Sequence, residues 1–333
     1  MVAEFAGARE LCELSGATPY TFSVFRRECI LRGPARAGIL LGKDAHFSRS
    51  GQILMLRFEQ FSQDTQFLRL VHREPDVDLV AAGLEIARDV HPNLDFSPTH
   101  AALQQAVARL THPITRAGSD FDELKLLVCY MTEEMGLYGR PDCLDDVDAH
   151  YLHKVLETGR GIPISLSLLY LHVANELGIP LEPIATPGRF LTRLQTEAGM
   201  LYVDAFDQGR ILDEVECVEL ICSTTQFSPQ EVYRFLRPAD ERSIAIRMLQ
   251  NLKNLFGRQE RWTDAWRVQS RLSMLMPGSW RERRDHAVLT LRAGRYGEAV
   301  ELLKKSLSVC PDEDRHFLQG HLSQALRLLP ESN

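Results

Sequence analysis

The stretch from Gly161 to Pro180 constrains this chain more than any other. Gly161-Ile162-Pro163 opens it and Gly178-Ile179-Pro180 closes it, and Pro near the start with Gly just past the end is the asymmetry of a helix. Ile164, Leu168, Leu171 and Ala174 share one face, while Leu166, Leu169, Tyr170 and Val173 fill most of the rest. A helix apolar nearly all round must be buried nearly all round. Ser165, Ser167, His172, Asn175 and Glu176 make it a poor membrane span. The chain is therefore expected to build a soluble core around it. With 333 residues, 44% of them hydrophobic and 25% charged, there is room for two ordinary globular domains.

Around this segment the periodicity predicts further elements. Leu79, Ala82, Ile86 and Val90 recur on one helical face, and Pro92-Asn93 ends that helix. Ser97-Pro98 is expected to cap the next helix, with Leu103, Ala106, Val107 and Leu110 inward. A third helix starts near Asp120, and a short one covers His150 to Thr158. Downstream, Leu181–Ala185, Phe190–Leu194 and Met200–Phe206 are strand candidates, the last two forming an antiparallel hairpin. A four-residue loop Gln195–Ala198 would set Leu194 opposite Gly199 and Arg189 opposite Asp204 on one face.

The last hundred residues are helical in pattern and repeat. Trp262 and Tyr296 are 34 apart, as are Ala265 and Ala299, and Pro277 and Pro311. That period, with an aromatic, a small Ala and a terminal Pro, is the tetratricopeptide signature. Such repeats stack into surfaces that bind peptides or partner helices.

Gly161-Ile162-Pro163-Ile164-Ser165-Leu166-Ser167-Leu168-Leu169-Tyr170, Leu177-Gly178-Ile179-Pro180, Pro187-Gly188-Arg189-Phe190 and Val203-Asp204-Ala205-Phe206 closely resemble the SirB family. Arg247-Met248-Leu249-Gln250-Asn251-Leu252-Lys253 and Arg284-Asp285 extend the resemblance. It implies a bacterial protein with an α+β transglutaminase-like, papain-like domain: mostly helical at first, then a small antiparallel sheet, followed by all-α tetratricopeptide-like repeats. The wider superfamily places a Cys nucleophile at the N-terminus of a buried helix, a His base on a following strand and an Asp on the next. Carried over, these positions hold Pro163, Arg189 and Asp204, and only the Asp matches. Proline offers no nucleophile, and arginine is not deprotonated in a protein. The triad is thus expected to be degenerate, with Arg189 and Asp204 forming a salt bridge or Arg189 meeting an anionic group.

The expected organisation is an N-terminal segment 1–75 without an assigned role, a transglutaminase-like domain 76–238 and a repeat domain 239–333. The expected function is a non-catalytic interaction or regulatory module whose partner is another protein or peptide. Arg189, Asp204, Trp262, Trp266, Arg295 and Tyr296 are the candidate contacts. The rival is a hydrolase or acyltransferase on peptide or amide bonds, using Cys143 or a serine. Yet His172 sits about 140° round the helix from Ser167, and Ser165 reads as a capping residue.

No cofactor or metal is expected: the seven cysteines are scattered without a C-x-x-C, and acids before His150 and His153 suit a helix start. Arg281, Arg283, Arg284 and Arg271, interleaved with Glu282 and Asp285, read as a solvated helix face. With 38 Lys+Arg against 45 Asp+Glu the net charge is −7, which gives nucleic acid no bulk attraction. The N-terminus has acids and no apolar run, so a cytoplasmic location is expected.

Overall fold

The computed structural model describes residues 61–329, together with a two-residue antiparallel pairing of Ala17–Thr18 with Thr21–Phe22. The turn signals at Gly33-Pro34 and Gly42-Lys43-Asp44 and the apolar run Ile53–Phe58 lie outside the described residues. Helices α1 (Thr65–His72), α2 (Leu79–Ala87), α3 (Ser97–Ile114), α4 (Asp120–Cys129), α5 (Leu152–Thr158) and α6 (Pro163–Glu176) come first. Strands β1 (Glu182–Ile184), β2 (Leu191–Thr196), β3 (Gly199–Asp204) and β4 (Arg210–Asp213) follow, then α7 (Glu214–Thr224). Helices α8 (Glu241–Arg258), α9 (Trp262–Leu275), α10 (Trp280–Arg292), α11 (Tyr296–Leu307) and α12 (Asp312–Leu328) complete the chain. The fold is α+β, with a repeat of helices after a domain that holds one small antiparallel sheet.

Helix α6 is the centre of the first core. Leu166, Leu169, Tyr170, Val173 and Ala174 are fully buried, among side chains from α3, α4, α5 and the sheet. The sheet runs β1-β2-β3-β4, each neighbour antiparallel. One face packs on α6; the other, through Ile184, Leu191, Tyr202 and Leu212, packs on Cys217, Val218 and Ile221 of α7. Strand β4 and α7 were not anticipated, although Asp213 and Glu216 carry the spacing of a capping box and form one: Glu216 N–H donates to Asp213 at 2.8 Å. The expected cap of α3 moves by one residue. Phe96 occupies the cap position, and Asp95 accepts the Ser97 N–H at 2.9 Å.

Helix α8 belongs to two cores at once. Ile244 and Met248 close the first, whereas Ala245, Leu249, Leu252 and Phe256 join a second with α9 and α10. Phe61, Phe67 and Leu70 from the segment before and within α1 enter that second core, with Ala82 and Ile86 of α2. Helix α2 reads as amphipathic but is covered on both sides, since Val80 and Leu84 face the first core.

Buried charge ties these parts together. Arg271 on α9 is 1% exposed; it holds Asp89 at 2.7 Å and Asp64 at 2.7 Å, with the rings of Phe61 and Phe67 against its guanidinium. Lys253 on α8 reaches Glu282 and Asp285 on α10, both at 3.1 Å. This corrects the solvated-face expectation. Arg281 and Arg283 are exposed, but Arg271, Glu282 and Asp285 lie inside because neighbouring helices supply their counter-charges.

Candidate functional site

Pro163 is the first residue of α6, where its missing N–H costs nothing. Ile162 before it is extended and has no polar side chain to cap the helix. Ser165 takes that work: its Oγ accepts the Ile162 N–H at 3.0 Å and donates to the Ala149 carbonyl at 2.8 Å. Ser167 Oγ donates to the Phe190 carbonyl at 3.1 Å. Both serines are buried, and their hydroxyls serve backbone groups.

The Ser167 contact brings the start of α6 against the turn that carries Arg189. Arg189 Nη1 donates to Asp204 Oδ2 at 2.9 Å. Asp204 is 0% exposed, and its Oδ1 accepts the N–H groups of Phe206 and Asp207 at 3.0 and 3.3 Å. Burial holds its carboxyl above the usual value, with Arg189 pulling the other way. The hydroxyl of Tyr170, on α6, is buried without a partner; burial and then the charge of Asp204 push its proton affinity up.

The pair forms although the register differs from expectation. The β2–β3 loop has two residues, Glu197 and Ala198, so Thr196 stands opposite Gly199 and Thr192 opposite Val203. Gly199 has φ +134, a conformation that other residues rarely adopt. The shift against the four-residue loop is two residues, which preserves the side-chain alternation. Arg189 lies before β2 begins and reaches Asp204 diagonally.

Cys143, the thiol of the enzymatic rival, is fully buried beside the Arg160 guanidinium. A neighbouring cation is what activates a thiol, but this one is shut from solvent. Cys217 lies behind the sheet and is also fully buried, which pushes its thiol up to about 12.

In the repeat, Trp262 and Tyr296 begin α9 and α11, and Ala265 and Ala299 are fully buried behind them. Trp262 lines an open groove of about 450 Å³ with Arg261, Asp264, Arg292 and Gly294. Arg295 is exposed, with its guanidinium 4.1 Å from the ring of Trp266 and an ion pair to Glu298 at 2.6 Å. Tyr296 packs against the core that α10, α11 and α12 form through Leu291, Ala299, Leu303 and Leu318. The structure thus joins Arg189 to Asp204 and Arg295 to Trp266. Among the described residues no hydrogen bond, ion pair or ring contact joins the two sets. Sequence reasoning missed Arg247 on α8, whose Nη2 donates to the Arg189 carbonyl at 3.0 Å. Its place in the family-like run Arg247–Lys253 was the available signal.

Among the described residues no group of three His, Cys, Asp or Glu side chains is placed to hold a metal, and no helix is long and apolar enough to cross a membrane. His150 and His153 are buried instead of bordering solvent.

A buried helix leading into an antiparallel sheet, then stacked helix pairs, defines a transglutaminase-like domain joined to tetratricopeptide repeats. Residues 98–250 match the transglutaminase-like superfamily, and residues 252–327 match a tetratricopeptide repeat family. A UPF0162 protein of Xylella fastidiosa is 31% identical over 248 residues, 73% of this chain and 88% of the relative. Protein SirB1 of Salmonella typhimurium is 25% identical over 224 residues, 66% of this chain and 82% of the relative. F-box only protein 21 of Mus musculus is 48% identical over 154 residues, 44% of this chain and 23% of that protein. No solved structure matches. The chain belongs to the SirB family of transglutaminase-like proteins with tetratricopeptide repeats.

Proposed function

We propose that this protein is a non-catalytic interaction or regulatory module that recognises another protein or peptide. The observation that carries the reading is chemical. Proline and arginine stand where the superfamily's thiol and imidazole would act, and Asp204 is already engaged by Arg189 and two backbone amides. The substitutes fare no better, since the hydroxyls of Ser165 and Ser167 are committed and Cys143 is closed off. The repeat supports a binding role, because stacked repeats present extended surfaces. Trp262, Trp266, Arg295 and Tyr296 are the contacts proposed there, with Arg189 and Asp204 in the former catalytic cleft.

The test has two arms. Native protein is treated with thiol-reactive and serine-reactive activity probes; selective labelling of Cys143, Ser165 or Ser167 would overturn the non-catalytic reading. Full-length protein and its Trp262→Ser and Arg295→Glu variants are then used as bait in host lysate. A reproducible partner lost with either variant supports recognition by the repeat, whereas a partner retained by both excludes that surface.

A further inference from the structure

Arg247 projects from α8 toward the transglutaminase-like domain, half-buried between Ile244 and Met248, which both enter the first core. Its one hydrogen bond among the described residues goes to the Arg189 carbonyl, and no carboxylate there lies within ion-pair distance. Burial pushes its guanidinium down to about 10, with no acid opposing the shift. Asp204 cannot supply the missing charge. Its Oδ1 serves two amides, and its Oδ2 takes Arg189. Arg189 itself uses one nitrogen on Asp204, and its side chain remains 21% exposed. Two guanidiniums therefore meet at one turn, and only that of Arg189 has a carboxylate partner among the described residues.

A purely mechanical role for Arg247 would not call for a cation. The Arg189 carbonyl already accepts from Thr186 Oγ1 at 3.2 Å, and Ser167 holds the next carbonyl. A neutral donor would suffice to fasten the turn, whereas an uncompensated, partly buried charge is costly. The planar fork of a guanidinium fits a carboxylate with two parallel hydrogen bonds.

We propose that Arg247, with the donors of Arg189 that Asp204 leaves open, binds a carboxylate group of a peptide ligand. The site lies beside the Arg189–Asp204 pair, rests on the proposed binding role of that pair, and does not depend on the repeat being a recognition surface. A small-anion titration therefore succeeds or fails separately from the lysate experiment.

The experiment follows the Arg side-chain Nε–H resonances of the full chain by NMR. Sodium acetate is titrated against sodium chloride at equal ionic strength. Saturable shifts of Arg247 and Arg189 with acetate alone are expected. Arg247→Gln keeps a donor for the Arg189 carbonyl but removes the charge, and should weaken acetate binding about tenfold, the worth of one charge-assisted hydrogen bond. Absence of a saturable shift in the parent protein, or equal affinity in Arg247→Gln, overturns the proposal. The parent titration decides alone if the variant does not fold. A stronger response to inorganic phosphate than to acetate overturns the assignment to carboxylate. Acetyl-alanyl-alanine, its amide and acetyl-glutamic acid amide then separate a C-terminal carboxylate from a side-chain one.

Discussion

Arg189 and Asp204 form a charge pair whose two halves sit in different surroundings. The Asp is sealed, while the Arg keeps 21% of its side chain exposed. Removing the Arg strands a buried anion, and losses of that kind run to about 3 kcal/mol. Arg189→Met should therefore lower the urea midpoint clearly. The sign of its pH dependence follows from Asp204, whose folded proton affinity is already raised and rises further without Arg189. A raised carboxyl favours the folded state below its unfolded value and loses that contribution as pH increases. The deficit of Arg189→Met relative to the parent should thus shrink as pH falls toward the carboxylate range; a deficit constant with pH would show that the cost is packing, not charge. The identity of this pair was legible in Pro187-Gly188-Arg189-Phe190 and Val203-Asp204. Its geometry was not, because hairpin register depends on loop length, and Gly199 permits a two-residue turn that propensity did not specify. Arg247 escaped notice because its partner is a backbone carbonyl 58 residues away, and nothing in local pattern encodes that.

Among elements, the repeat was the most legible, since its period fixes equivalent positions, and the correspondence extends to the backbone. Glu260 and Gly294 stand at the same place in successive turns, with φ +56 and +75. Each turn is closed in the same way: Arg261 N–H reaches the Phe256 carbonyl at 2.9 Å and Arg295 N–H the Thr290 carbonyl at 3.1 Å. Glycine adopts this left-handed conformation freely, while glutamate is strained there. Glu260→Gly is therefore expected to be neutral or to stabilise by up to about 1 kcal/mol. Gly294→Ala should destabilise by about 1 kcal/mol from backbone strain, since an added Cβ there meets nothing within 4 Å. Thermal unfolding of both variants checks the pair. Opposite signs are expected, and a destabilising Glu260→Gly would mean the side chain contributes more than the backbone loses. By contrast β4 was invisible, because Ile211 and Leu212 form too short an apolar run to distinguish from a loop.

At the scale of the molecule, the two halves recognised in the sequence share elements. Helix α8 supplies side chains to both cores, α2 is buried between them, and Arg271 fixes Asp64 and Asp89 to the repeat. Long-range contacts of this kind, such as Arg271 to Asp64, carry no short-range pattern, so residues 61–75 were unreadable although they pack on α8 and α9. Near this junction lie His91, Tyr151 and His153, with the two imidazole centroids 5.0 Å apart, and Tyr151 belongs to the second core. Burial lowers both His150 and His153 to about 4 from 6.5, His91 adding to the shift of His153. His153 Nδ1 and His91 Nε2 have no hydrogen-bond partner. Neutral imidazoles are tolerated there, but for an imidazolium the loss of water outweighs the pull of the nearby acids, Asp145 and Asp146 for His150 and Asp148 and Glu157 for His153. The folded state thus binds fewer protons than the unfolded chain between those two values. Stability is full above about 6.5 and is lost as pH falls toward about 4. By pH 5 the loss should reach about 2 kcal/mol for each histidine. Urea midpoints at pH 7 and pH 5 measure it in the parent and in His150→Leu and His153→Leu. Each variant should lose less between the two pH values than the parent does. Because α8 and α2 are common to both cores, the parent should lose the repeat and the transglutaminase-like domain in one transition. Equal pH dependence in parent and variants would place the acid sensitivity elsewhere, and two separated transitions would show that the shared helices do not couple the halves.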